Sequence, residues 1–448
     1  MTSRSLFSLG LWNTLEHAWV RIADALITLV ILRAFTPELF GALAIVQTWV
    51  SIALWFFIPP STVLYWKFRD WQDRGGAEFR QNIILIRRTA WAAGLLAVLV
   101  SGVLTVILGG ERQHVTLFAL IWSFSIALGP QIVGVDREFL RLSLAMKTLN
   151  ILGWLQKLLL LGAVIAVSVA FPGNMVALGA SGAIVLILSV LVHKICVDRR
   201  LAVGVTDAAS SAAAQAGWSR WVAILRETGH VFALPAHVLG VVQNTVLTLD
   251  LFFVGLLLSD VRMAGIYATA VKLTNLLMAL PTALSNFYSV LLGRRKKPED
   301  LRSEAPEVLR GSLALGAVTA VCSVIGYVIF PHVLPWLNHG RWTTDETEQF
   351  LRWTPWMLAG VTVYAVGAVP VAWLTLRENL GRLVRRVHFP WLAGAAAIYA
   401  GAVYVGGFDG VARANIAVFV LQLVLITVFL RSYFRPRPYG VPAGSDPT

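Results

Sequence analysis

Long apolar runs alternate with short polar or Gly/Pro-punctuated breaks along almost the whole chain. A hydrocarbon core about 30 Å thick takes roughly 20 apolar helical residues per crossing. Runs of that length are predicted at 8–33, 42–64, 84–108, 115–134, 144–170 and 175–196. After a polar interval six more follow, at 229–258, 263–292, 308–333, 353–376, 388–406 and 410–431. The pattern predicts an all-α, polytopic integral membrane protein of about 12 transmembrane helices.

The polar interval divides the chain. Residues 1–197 form a predicted N-terminal six-helix bundle, 198–228 a cytoplasmic linker, 229–432 a C-terminal six-helix bundle and 433–448 a disordered, Pro-rich tail. Within the linker, GWSRWVAILRETG can lie amphipathically on the membrane, with Trp218, Trp221 and Leu225 toward lipid and Arg220 and Arg226 toward headgroups; a plain linker fits equally. The N-terminal segment lacks a small-residue cleavage site and runs straight into the first span, so it is expected to be retained.

Composition agrees with lipid as the main solvent: 57% of residues are hydrophobic, 14% are charged, and mean hydropathy is +0.71. A soluble domain carries about 25% charged residues. The net charge of +13 raises the question of nucleic acid, but the basic residues fall between spans rather than on a globular face. With the N-terminus cytoplasmic, and residues near a span end counted with the nearer side, 28 of the 37 lysines and arginines lie on the cytoplasmic side, six outside and three, Arg21, Lys157 and Lys272, deep within spans. The positive-inside rule then puts both termini in the cytoplasm, as in a multi-pass protein of a bacterial cytoplasmic (inner) membrane.

Catalytic signals are sparse. Cys196 and Cys322 have no CxxC or Cys/His neighbourhood, so neither a disulfide framework nor a metal site is expected. No Gly-rich phosphate loop occurs in the cytoplasmic connections, and no cofactor is expected. The acidic cluster Asp345, Glu346 and Glu348 reads as a solvated external loop.

The two halves match internally. Asp24 is followed after 17 residues by Gly41, after 35 by Pro59 and after 43 by Lys67, while Asp250 is followed after 15 by Gly265, after 31 by Pro281 and after 44 by Arg294. With six spans in each half, both copies have the same membrane orientation, giving two parallel six-helix bundles related by an axis along the membrane normal. The stretch TLDLFFVGLLLSDVRMAGIYATAVKLTNLLMALPTALSNFYSVLLGR resembles spans seven and eight of Wzx-type lipid-linked oligosaccharide flippases, and LRAFTPELFGALAIV resembles their first external turn. These belong to the superfamily that also holds multidrug exporters and lipid II flippases. Gly41, Asp250, Gly265 and Tyr267 are the motif matches.

Ionisable groups at membrane depth cost at least about 2.5 kcal/mol on insertion scales, so they normally face a cavity or a partner. Glu16, Arg21 and Asp24 share one face of span one; Asn150 and Lys157 share a face of span five; Lys272 lies in span eight. On span seven, His230, His237 and Asn244 form one stripe, and Gln243 with Asp250 a second. The structural explanation is neutralisation, Arg21 with Asp24 and Asp250 with Lys272. The functional one is a hydrated central cavity in which Arg21, Lys157 and Lys272, with Gln243 and Asn244, receive an anionic headgroup. Pro59, Pro60, Pro281 and Pro370 are candidate kinks, and tryptophans such as Trp12, Trp49, Trp353 and Trp356 fit interfacial belts.

The resemblance implies a cargo of polyprenyl-pyrophosphate-linked oligosaccharide. It would be turned to the external leaflet by alternating access for surface polysaccharide (O-antigen, capsule or exopolysaccharide) synthesis. Its partners would be membrane lipid and a polysaccharide polymerase or glycosyltransferase. Glu16, Asp24, His237 or Asp250 would titrate to couple an ion gradient. Two alternatives stay open: a multidrug or small-cation exporter of the same superfamily, and a membrane-embedded polymerase or glycosyltransferase.

Overall fold

The computed structural model describes residues 19–20, 22–53, 59–74, 76–109, 121, 129–202, 217–228, 234–279, 281–282 and 301–434. With breaks that include Pro59, Leu144 with Ala145, and Leu247 with Thr248, the apolar runs predicted from the sequence are helical over most of their described residues. In the first half these are α1 (22–34), α2 (Pro37–Ala53), α3 (Pro60–Arg74), α4 (Gly76–Gly109), α5 (Gly134–Leu142), α6 (Met146–Ala170) and α7 (Met175–Ala202). A linker helix, α8 (Gly217–Thr228), leads to α9 (Leu234–Val246), α10 (Leu249–Leu257), α11 (Val261–Leu277), α12 (Ala305–Asn338), α13 (Thr344–Arg377) and α14 (Phe389–Phe434). Among the described residues six helices are long and apolar enough to cross a membrane, or seven if α9 and α10, bent by 56°, count as one broken span.

The last two predicted spans are the two arms of α14. The chain reverses at Gly407, whose φ of 53° lies in the left-handed region that glycine enters without a Cβ penalty. The arms then pack on each other, with the Trp391 indole donating to the Val418 carbonyl at 2.9 Å and the Tyr399 hydroxyl to Asn415 at 3.2 Å.

Other ends follow local chemistry. Pro37 and Pro60 each begin a helix, where a missing N–H costs nothing, so Pro60 starts α3 rather than kinking a span. Asp260 caps α11 by accepting from the Met263 N–H at 2.9 Å. Thr343 and Glu346 form a reciprocal capping box at the start of α13. The acidic cluster expected as a solvated loop thus lies in the ordered start of a helix, with Asp345 and Glu348 exposed and Glu346 only 8% exposed.

The outer faces of α4, α6, α7 and α12 carry exposed Leu99, Leu158, Leu191 and Val324, an apolar surface suited to lipid rather than water. Inside, a core spanning both halves includes Phe35, Leu43, Tyr267, Trp353 and Phe419, and a second core at the linker end of the first half holds Leu64, Phe68, Trp71, Phe139 and Trp221. Two expectations fail here. Trp353 is 1% exposed, stacked on Phe408 at 5.7 Å and donating to Asp409 at 2.6 Å, and Trp49 is buried too; neither belongs to an interfacial belt. Trp221 and Ile224 of α8 turn into the first half instead of toward lipid, and Glu227 pairs with Lys67 of α3. The α8 stripe found apolar protein surface nearer than the bilayer. The side chains of Trp218, Arg220 and Leu225 lie outside the described residues, as does Trp12.

Candidate functional site

The two halves pack chiefly through α2 against α11, the helices that carry the internal repeat, with α10 beside them. At their crossing the motif glycines Gly41 and Gly265 lie against each other's helix. A Cβ on Gly41 would stand 2.7 Å from the Gly265 nitrogen, and one on Gly265 would stand 1.7 Å from the Pro37 carbonyl oxygen. No side chain fits there, so two backbones touch, a packing that suits helices whose association in lipid depends on close contact.

One turn away, the equivalence acquires charge. Glu38 and Arg262 each precede their glycine by three residues, and Arg262 Nη1 meets Glu38 Oε1 at 2.6 Å across the seam. The same guanidinium makes a bidentate pair with Glu346 and donates to the Arg341 carbonyl at 2.8 Å. Arg262 thereby ties α2 of one half to α11 and α13 of the other. The hydrogen bond from Arg262, working against burial and assisted by the Thr343 N–H, holds Glu346 below the usual carboxylate range. Burial pushes Glu38 up, but its backbone hydrogen bond and Arg262 together bring it below that range as well. Glu346 and then Glu38 raise Arg262.

Further along the seam toward the linker end, Ile45 of α2 fills the space beside Gly255 of α10, and Lys272 of α11 donates to the Gln47 amide of α2 at 3.3 Å. Lys272 was expected either free in a cavity or paired with Asp250. It bridges the halves through a neutral partner instead, within electrostatic reach of both Asp24 and Asp250. Lys157 was expected as a free cation for the cargo, but it pairs with Asp24 at 2.5 Å, so the first half balances this charge internally. Arg21 and Glu16 lie outside the described residues, and the expected pairing of Arg21 with Asp24 lies there too.

Asp250 sits at the broken span. α9 ends at Val246, Leu247 and Thr248 form a turn, and Asp250 occupies the first turn of α10, where the helix dipole favours a carboxylate. It is 3% exposed, accepts from the Leu251 N–H at 2.7 Å and from the Tyr267 hydroxyl at 3.1 Å, and also engages Asn415. A void of about 10 Å³ beside it is walled by Thr274, Asn275 and Asn415, room for one water or small cation. Gln243 and Asn244 lie in the last turn of α9, just before the break, and His237 two turns earlier. They sit on a different helix from Lys272 and from Lys157. Among the described residues no group of three or more His, Cys, Asp or Glu is placed to hold a metal ion.

Gln47, Asn415 and the Glu38, Arg262 and Glu346 cluster were not singled out from the sequence. Opposite charges three residues before each repeat glycine were a readable signal for the Glu38 and Arg262 pair; Gln47 and Asn415 gave none.

These features define an all-α membrane bundle of two repeat-related halves with a charged seam. No protein-family profile and no curated protein matches the sequence. Solved structures do match over almost the whole chain. The inward-facing form of a multidrug resistance MATE family transporter of the MOP superfamily aligns with TM-score 0.62 at 10% identity, covering 97% of this chain and 96% of that one. The Vibrio cholerae MATE transporter VcmN aligns with TM-score 0.63 at 13% identity, covering 96% and 99%. The lipid II flippase MurJ, in an inward closed conformation, aligns with TM-score 0.56 at 8% identity, covering 95% and 87%. The chain has the fold of a MOP-superfamily transporter.

Proposed function

We propose that this protein is a flippase for a polyprenyl-pyrophosphate-linked oligosaccharide. It would act by alternating access in a bacterial inner membrane, with the linker end and both termini in the cytoplasm. The observation that carries the choice of an anionic cargo is Lys272: its ammonium lies on the seam against a neutral amide, not a carboxylate. A pyrophosphate entering between the halves would replace Gln47 as its partner, exchanging a 3.3 Å hydrogen bond to a neutral acceptor for an ion pair with a charged one. In the arrangement described, the Arg262 cluster holds the external end shut. Its release would accompany rocking of one half against the other about α2 and α11. Asp250, with a cation-sized void beside it at a break in its span, is the coupling group for a proton or monovalent cation in this reading. The flipped product would pass to a polysaccharide polymerase or glycosyltransferase.

One observation favours a second reading, a multidrug exporter: Asp24 and Asp250 both approach the seam, and carboxylates there would suit a cationic cargo. Reconstitution separates the two. Wild type should speed leaflet exchange of a fluorescent pyrophosphoryl-linked oligosaccharide, and Lys272→Ala and Arg21→Ala should lose most of that rate. Equal exchange in all three and in empty vesicles, with uptake of a cationic dye intact, would establish the exporter reading instead.

A further inference from the structure

At the Arg262 end a second cavity lies outside the seam between α2 and α11. It measures about 450 Å³ and lies between α1 and α6 of the first half and the end of α12 in the second. That volume is within the range of small-molecule sites, roughly 300–1,000 Å³. Its walls are graded. Below the helix ends the wall is apolar, formed by Leu26, Leu29 and Val30 of α1 and Ile165 of α6, with Val169 in the last turn of α6 at the mouth. The rim carries Arg33, His339 and Arg341, and among the described residues that line it none is acidic. From Leu26 to Ala34 the helix rises about 12 Å, so the cations stand at the helix ends and the apolar wall lies beneath them. Val169 is 78% exposed and Trp336 56%, so the cavity is open at the level of the helix ends, and Leu26 below them is 41% exposed.

The rim is also pre-shaped. The Arg33 guanidinium lies 4.4 Å above the Trp336 ring and donates one N–H to the Trp336 carbonyl at 3.2 Å, which fixes its plane. Cations over an apolar slot, at the level of the helix ends, match the polarity profile of one ligand class: a phosphate headgroup with an acyl chain below it. We propose that this groove binds an anionic glycerophospholipid from the leaflet at the Arg262 end, with its phosphate on Arg33 and Arg341 and an acyl chain between α1 and α6. The lipid bridges the two halves, and Arg341 already offers its carbonyl to Arg262, so occupancy reinforces the closed clasp.

The test uses the full-length protein. Purified wild type, exposed to equal phosphatidylglycerol and phosphatidylcholine, should retain one phosphatidylglycerol in native mass spectrometry with at least tenfold preference. A doubly substituted Arg33→Gln, Arg341→Gln variant should lose that preference, and Val169→Trp, which plugs the slot, should lose the bound lipid. A diazirine-bearing phosphatidylglycerol should crosslink wild type within 26–34, 165–172 or 336–341. That readout needs no variant to fold. Crosslinks confined to other segments, or unchanged retention by the double variant, overturn the proposal. So does displacement of phosphatidylglycerol by an equimolar polyprenyl phosphate, since the groove would then belong to the cargo. The flippase reading stands or falls separately, by leaflet exchange in vesicles.

Discussion

Glu38 and Arg262 occupy the same position of the internal repeat, three residues before Gly41 and Gly265, and meet at 2.6 Å across the seam between the halves. A pair of opposite charges on equivalent positions can close only when the two copies face each other, so this contact reports the closed state of that end. Substituting Arg262→Ala removes it together with the Glu346 pair. The Glu38 side is over a third exposed, so solvent screening limits its share to about 1 kcal/mol or less. The loss of the whole cluster should favour opening by about 1–2 kcal/mol, a five- to thirty-fold shift in population. Spin labels at Phe171 and Ser259 should report a longer distance distribution in Arg262→Ala, and Arg262→Lys, which keeps the charge, should retain part of the short one.

Acid should act on the same clasp with a definite sign. Both carboxylates are held below the usual range while paired, so the stabilisation they give is complete above the pKa of a free glutamate, about 4.3. It is lost as pH falls through their lower paired values. The spin-label distances should therefore stay constant from pH 8 to 5 and lengthen only below about pH 4. A transition centred near pH 6 would assign the pH response to another group.

Gly265→Ala should be the most damaging single-methyl change in the seam, because the Cβ would meet the Pro37 backbone, which cannot rotate away. Overpacking of this kind costs about 1–3 kcal/mol, and the thermal midpoint in detergent should drop accordingly. Gly162→Ala, with nothing within 4 Å of its Cβ, is the control and should leave the midpoint unchanged.

Tyr267→Phe removes the hydroxyl that donates to Asp250 and leaves a buried carboxylate oxygen short of a partner, at a cost of about 1–3 kcal/mol. Asp250→Asn keeps the shape and removes the charge. If Asp250 couples transport to an ion gradient, Asp250→Asn vesicles should retain downhill exchange yet lose its dependence on an imposed gradient, whereas Tyr267→Phe should lower thermal stability and keep that dependence.

The Asp24 and Lys157 pair is best read by a cycle. Each single change, Asp24→Asn or Lys157→Met, should destabilise more than the double change, because each leaves one half-buried charge without its partner. Additive losses in thermal midpoint would show that the two charges act independently.

The helical plan was legible because it rests on one local property: in lipid every backbone polar group must be satisfied within the helix, so apolar runs of sufficient length mark the spans. The repeat was legible for a similar reason, since Gly41 and Gly265 keep their place relative to the charges around them. The partners were not. Lys157 and Lys272 looked alike in sequence, each a lone cation at membrane depth, yet one is neutralised by Asp24 and the other rests on Gln47. Trp221, readable as the lipid-facing side of the linker helix, and Trp353, readable as part of an interfacial belt, both ended in protein cores. Side-chain type fixes the cost of leaving a charge or an indole unsatisfied, and helix spacing fixes which residues share a face. Which neighbouring helix meets that face depends on how α2 and α11 cross. That crossing is set where two backbones touch at paired glycines, a contact that exists only once both halves have folded.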